Sequence, residues 1–148
     1  MKRLVVDTSV AVKWVVPELG QPEDDTELAL DLLERTLIAP DCIAGEFANA
    51  MFKKVRRAEI GEAQAREAVA ILPNIVDFVP SPPLMTAAFE LALQILHPVH
   101  DCVFLIVAME TGGLLVTADV NFVEKCRLAI SNPPLRTLRE GYGAEETY

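Results

Sequence analysis

Cysteine is scarce in this chain and badly placed for pairing: Cys42, Cys102 and Cys126 are odd in number, lie far apart and form no CxxC pair. That pattern suggests neither a disulfide framework nor a zinc ribbon, and the three read as small buried apolar residues in a reducing compartment. Long apolar runs are missing too. None approaches the ~20 residues that a membrane span requires, and no basic stretch followed by an apolar core marks a leader. A soluble, cytoplasmic protein with no membrane partner is therefore expected. Positive charge is also short, with 13 Lys and Arg against 22 Asp and Glu and a formal net charge of −9. An extended nucleic-acid coat needs clustered cations, so the balance argues against one while leaving room for a local basic patch. The same balance suits a protein that gathers carboxylates around metal ions.

Repeats, low-complexity tracts and long linkers are likewise absent. A length of 148 residues, 51% of them hydrophobic, suits one compact domain spanning 1–148. The polar tail after about Gly141 is expected to fray. Short β-branched runs alternate with segments of helical period, the pattern of an α/β fold with a mostly parallel sheet of about four to five strands flanked by helices. The strand candidates are Arg3 to Val6, Leu37 to Ala39, Ile75 to Val79, Leu114 to Thr117 and, more weakly, Leu135 to Leu138. Helices are expected over Thr26 to Arg35 with Asp24, Asp25 or Thr26 as cap, about Asp41 to Ala58, Glu62 to Leu72, Leu84 to Leu96, and Asp101 to about Thr111 before Gly112-Gly113.

Four carboxylates stand where structure alone does not ask for them. Asp7 ends the run LVVD and Asp119 ends LLVTAD. In open parallel sheets the ligand crevice lies outside the carboxyl ends of the strands, so both point to one edge of the molecule. For Asp7, followed by Thr8 and Ser9, the simplest alternative is a cap on a helix over Val10 to Trp14. Glu46 in APDCIAGEFANAM lies about 60° and 40° around a helix from Ile43 and Ala50, on or beside the apolar face. Asp101 heads the otherwise apolar HDCVFLIVAMETG and falls within about 40° of Leu105, Ala108 and Gly112; its alternative reading is again a helix cap.

Carboxylates gathered within a few ångströms repel one another, and desolvation raises their pKa, so a cluster calls for a compensating charge. Oxygen-rich sites select hard divalent cations, with Mg²⁺ or Mn²⁺ retaining waters for substrate phosphates. Such ions activate water and stabilise charge on a phosphodiester in flight. The implied chemistry is metal-assisted phosphodiester hydrolysis.

VVDTSV, APDCIAGEFANAM, HDCVFLIVAMETGG and LLVTADVNF, in this order and at these separations, resemble a PIN-domain ribonuclease, specifically the toxin of a VapBC-type toxin–antitoxin pair. The resemblance covers nearly the whole chain. It implies Asp7, Glu46, Asp101 and Asp119 as a catalytic, metal-binding quartet, with Thr8, Ser9 and Thr117 supporting the carboxylates by hydrogen bonds. It also implies an RNA substrate, Mg²⁺ or Mn²⁺ as cofactor, inhibition by a cognate VapB-type antitoxin, and a homodimer. Two departures stand out. Asn121 occupies a place where many relatives carry a further Asp, and offers only a neutral oxygen. His97-Pro98-Val99-His100 stands where relatives often carry Ser or Tyr.

Rival readings make distinct demands. His100-Asp101 is an HD dyad, but HD-type metal phosphohydrolases are all helical and would leave two strand-terminal aspartates without a role. A receiver-like phosphoacceptor domain would carry adjacent acids after the first strand and a Lys after the fifth, neither of which is present. A catalytically idle binding partner has no use for an intact quartet. In FKKVRRAEI, Lys53, Lys54, Arg56 and Arg57 form either a solvated helix face or a contact for RNA or a partner. Trp14 and Phe47 read as core or interface residues, and His97 and His100 as loop or capping residues.

Overall fold

The computed structural model describes residues 3–17 and 25–142; Asp24 and the tail from 143 onward lie outside the described residues. Five strands form one sheet: β1 (Leu4–Val6), β2 (Leu37–Pro40), β3 (Val76–Val79), β4 (Leu114–Thr117) and β5 (Leu135–Thr137). Every neighbouring pair is parallel, in the order β3-β2-β1-β4-β5. The order reverses direction between β1 and β4, where Leu4, Val5 and Val6 pair with Leu114, Leu115 and Val116. Every residue of β1, β2 and β4 is buried, as expected of parallel strands covered on both faces.

The helices are α1 (Thr8–Lys13), α2 (Thr26–Asp31), α3 (Ile43–Arg56), α4 (Glu62–Ile75), α5 (Met85–Ile95), α6 (Val99–Thr111) and α7 (Val120–Ala129). With the strand order reversing at β1, the right-handed rule for parallel crossovers assigns α1 to α4 to one face of the sheet and α5 to α7 to the other. Accordingly α3 packs against α1 and α4, and α5 against α6 and α7. Helix α6 lies against β1, β2 and β4 beneath α5. Its residues Cys102 to Ala108 are all buried, so this helix is apolar on every side rather than amphipathic. No single helix among the described residues is long and apolar enough to cross a membrane.

Several elements differ from the sequence expectation for local reasons. Helix α7 was not anticipated. Its buried residues Phe122, Val123 and Cys126 form too short a stripe to stand out after the apolar LLVTAD. The segment Thr26 to Arg35 divides into α2 and a 3₁₀ turn over Leu32–Glu34. Helix α4 continues past Leu72 through Pro73 to Ile75, because a proline in the last turn forfeits only one intrahelical N–H. Helix α6 starts at Val99, after Pro98, so Asp101 lies inside the first turn and is not its cap. Asp25 occupies the cap position of α2 without a side-chain cap bond, and its carboxylate pairs with Lys13 at 2.8 Å. Phe47 is buried, and the Trp14 indole Nε1 donates to the Ala29 carbonyl at 2.7 Å, in line with their reading as packing residues.

Helix α6 ends on Gly112, at φ 66°, a left-handed cap that a side chain resists by about 1–2 kcal/mol. Gly113 is constrained differently: a Cβ there would lie 2.7 Å from the Arg3 carbonyl oxygen, where β4 is threaded beside β1. Backbone cannot swing aside as a side chain can. Gly113→Ala should therefore destabilise the fold by about 1–3 kcal/mol, at least as much as Gly112→Ala, in urea denaturation followed by circular dichroism. Wild-type stability for Gly113→Ala would contradict the close β1–β4 threading.

Candidate functional site

The carboxyl ends of β1 and β4 are joined side chain to side chain. The Thr117 hydroxyl at the end of β4 donates to Asp7 Oδ2, while Ser9 Oγ donates to Asp7 Oδ1 at 2.5 Å and the Val10 N–H to the same oxygen at 3.2 Å. Ser9 Oγ also accepts from the Ala118 N–H at 3.1 Å, and Thr117 Oγ1 from the Asp119 N–H at 3.1 Å. Two hydroxyls thus lace the β1–α1 turn to the β4–α7 turn. Thr8 takes no part in this lacing: its Oγ1 is buried without a hydrogen-bond partner among the described residues.

Asp7 is at once a helix cap and a member of the acidic group. Its Oδ1 caps α1, and Asp119 likewise caps α7 through the Phe122 N–H at 3.0 Å. Capping and clustering are compatible because each carboxylate has a second oxygen to offer. Burial drives the Asp7 pKa up from 3.8 to about 6, against the lowering effect of the Ser9, Thr117 and Val10 hydrogen bonds; the Asp101 charge pushes it further up.

Glu46 projects from the first turn of α3. Burial is the main cause raising its pKa, and the Asp101 and Asp7 charges add to it, while a hydrogen bond with the Cys42 thiol and the proximity of His100 work the other way. Its Oε2 is buried and has no hydrogen-bond partner among the described residues. Cys42 is thus a half-buried thiol beside the site, unlike the fully buried Cys102 and Cys126, and burial raises its own pKa to about 12. Asp101 touches two histidines: His97 Nε2 lies 2.7 Å from Oδ2, and His100 Nε2 3.6 Å from Oδ1.

Potential ligand atoms of Glu46, His100 and Asp101 lie within 4.8 Å of one another, as do those of His97, Asp101 and Asp119. Asp101 is common to both groups. The structure therefore brings Asp7, Glu46, Asp101 and Asp119 to one edge from four separate elements. Asn121 is exposed in the first turn of α7. Lys53, Lys54, Arg56 and Arg57 close the far end of α3, and Lys54 pairs with Glu59 at 3.0 Å.

The donor set fits a hard divalent cation. It is dominated by carboxylate oxygens, one of them buried without a hydrogen-bond partner among the described residues, and burial first, with neighbouring carboxylate charge behind it, makes Asp7 and Glu46 hold their protons more tightly than usual. Lys13 pairs with Asp25 and Arg127 with Glu140, away from the four carboxylates. Sequence reasoning missed His97 and its neighbour Lys125. The spacing of four between His97 and Asp101 was the available signal for the first. For the second there was none while α7 went unrecognised.

A family model described as the PIN domain matches residues 4–128. Among solved structures, the chain is similar to PAE2754 from Pyrobaculum aerophilum, with 17% identity, TM-score 0.68, and 94% of this chain and 85% of that one covered. VapBC2 from Rickettsia felis, bound to a DNA fragment from its promoter, gives 15% identity, TM-score 0.60 and coverages of 90% and 97%. VapC20 from Mycobacterium tuberculosis, a toxin that cleaves the sarcin–ricin loop, gives 17% identity, TM-score 0.62 and coverages of 82% and 93%. At such identities the likeness is one of fold. No curated protein matches the sequence.

The raised Asp7 pKa sets a pH signature for the metal-free protein. An acid whose pKa rises from 3.8 to about 6 on folding binds its proton more tightly when folded. Its ionisation therefore weakens the fold above pH 6, and this cost fades as pH falls toward the unfolded value. In EDTA, Asp7→Asn should be more stable than wild type at pH 7.5 by up to about 3 kcal/mol. The advantage should shrink as the pH is lowered toward 4. Chemical denaturation of both proteins at several pH values checks this; a pH-independent difference would remove the crowded-carboxylate account of Asp7.

Proposed function

This chain belongs to the PIN-domain family, and from that premise we propose that residues 1–148 act as a single metal-dependent endoribonuclease, the toxin of a type II toxin–antitoxin pair. One observation carries the reading. Asp7, Glu46, Asp101 and Asp119 arrive from β1, α3, α6 and β4 at the edge where an open parallel sheet binds ligands. The two enzyme and binding-module rivals do not share this scaffold: an HD-type hydrolase has no five-stranded parallel sheet, and a receiver orders its strands 2-1-3-4-5 rather than 3-2-1-4-5.

The four carboxylates would hold Mg²⁺ or Mn²⁺, which when bound supplies an activated water and neutralises charge on the phosphodiester. The chain's own residues do the rest. Ser9 and Thr117 fix Asp7 in one orientation. Glu46 Oε2, without a hydrogen-bond partner among the described residues, can accept a cation or a proton from an incoming water. Asp119 is held by its capping bond to Phe122.

On α3, Lys53 and Arg57 lie seven and eleven residues beyond Glu46, which at about 100° per residue returns both to within roughly 20° of the Glu46 direction. An RNA strand leaving the acidic site along this helix would meet them about 10 and 16 Å farther on. Lys54, already paired with Glu59, is the less available cation. Likeness in fold to the toxin of VapBC2 supports a cognate VapB-type antitoxin as partner. Phe89 and Leu93, exposed one turn apart on α5, offer a face for a second copy. The cytoplasm is where substrate and antitoxin would be met.

Purified protein should cleave RNA with Mg²⁺ or Mn²⁺ and fall silent in EDTA. Asp101→Asn should lower cleavage by at least ~10²-fold, the scale of losing one charge-stabilising group. Undiminished cleavage in EDTA would refute the metal assignment.

Binding should report the α3 track separately. Neutralising Lys53 and Arg57 should flatten the salt dependence of RNA affinity by a slope of roughly 0.7 per lost phosphate contact. The same change at Arg56 should leave the slope alone, because at about 80° from the Glu46 direction it lies to the side of that track. Equal effects at all three positions would mean diffuse attraction instead of a track.

A further inference from the structure

The strongest feature not absorbed by the acidic site is the environment of His97. This residue follows Leu96, whose φ of 54° closes α5 in the left-handed conformation, and its side chain is only 8% exposed. The ring leans on Phe122 of α7, with centroids 4.7 Å apart and planes tilted by 43°. Its Nε2 meets Asp101 Oδ2 at 2.7 Å, and its Nδ1 meets Lys125 Nζ at 3.3 Å. Lys125 is itself tethered to the Leu96 carbonyl at 3.2 Å.

These contacts fix which ring nitrogen carries the proton. An ammonium group can only donate, so Nδ1 must accept from Lys125, and the imidazole proton is left on Nε2. That proton points at Asp101 Oδ2. The opposite Asp101 oxygen, Oδ1, is turned toward His100 at 3.6 Å, in the group that includes Glu46.

We propose that His97, with its tautomer set by Lys125, is a positioning residue that anchors one oxygen of Asp101 and presents the other to the cation. The inference rests on the reading of Asp101 as a metal ligand and adds to it a Lys125–His97–Asp101 chain running from α7 to α6. The chain excludes the alternative in which His97 ligates the ion through Nε2. That role needs a bare Nε2 and a protonated Nδ1, and a protonated Nδ1 would face a lysine that has nothing to accept it with. Bonds that orient metal ligands commonly matter by 10–100-fold in metal affinity. His97 does so here from a position whose wrong side chain leaves an ionised carboxylate free to rotate.

The test has two arms. Nitrogen-15 NMR of the wild-type imidazoles should show His97 protonated on Nε2 and unprotonated on Nδ1, before and after addition of Mg²⁺. Lys125→Met should erode that preference. In calorimetric titration with Mg²⁺, His97→Leu should bind 10–100-fold more weakly. His97→Gln, whose amide N–H reaches the place of Nε2–H, should recover most of the loss. A bare Nε2 in the wild type, or wild-type Mg²⁺ affinity in a folded His97→Leu protein, overturns the proposal. Asp101→Asn separates the two failures. If it abolishes Mg²⁺ binding while His97→Leu does not, only the positioning role falls; if the wild type itself binds no Mg²⁺, the acidic-site reading falls with it.

Discussion

Everything at the acidic edge depends on the hydroxyl of Thr117 reaching across from β4 to the carboxylate of Asp7 on β1. That contact is possible only because the two strands are parallel neighbours in register, Val6 beside Val116. They become neighbours because the strand order reverses between them. With the sheet wound in this way, the chain leaves β1 and β4 toward opposite faces and opens a crevice between the two turns. Helices α3 and α6 then need only direct Glu46 and Asp101 into it.

The crevice is a compromise between two uses of the same groups. As caps, Asp7 and Asp119 satisfy N–H groups at the starts of α1 and α7 and add local stability. As a member of a crowd, Asp7 is pressed first by burial and then by the Asp101 charge, and Glu46 by burial and by the Asp101 and Asp7 charges, which disfavours ionisation of both. The hydroxyls of Ser9 and Thr117 offset part of that cost by bonding to the ionised form of Asp7. An ion would offset more of it, so the scaffold holds its carboxylates together ahead of the charge that reconciles them.

Much of the fold was legible because period and punctuation agree along the chain. Five apolar runs separated by helical stretches predicted a parallel α/β sheet, and the structure has one of five strands. The strand-end positions of Asp7 and Asp119 could be read from the residues that precede them. Glu46 and Asp101 were visible as acids on apolar stretches. Distances between elements were not legible. Thr8 and Ser9 are equally plausible supports in a linear chain, yet the turn aims Ser9 at Asp7 and buries the Thr8 hydroxyl without a hydrogen-bond partner among the described residues. His97 was read as a loop or capping residue, since the contact that orients its ring comes from a lysine 28 positions later, on a helix whose short apolar stripe did not declare itself. Helix termini suffered for a similar reason: Pro98 lets α6 begin at Val99, and a helix start two residues early changes Asp101 from a cap into a side chain free to face the crevice.

The strand order also leaves β3 and β5 as the borders of the sheet. Unpaired strand borders are templates on which other chains can polymerise, and short length or a charge is the usual protection. Here β3 carries Asp77 exposed near its middle, and β5 is only three residues long with Arg136 at its centre. A foreign strand laid along either border would gain few bonds and would strand a charge against its backbone. Both borders of the sheet are thus poor templates for a foreign strand.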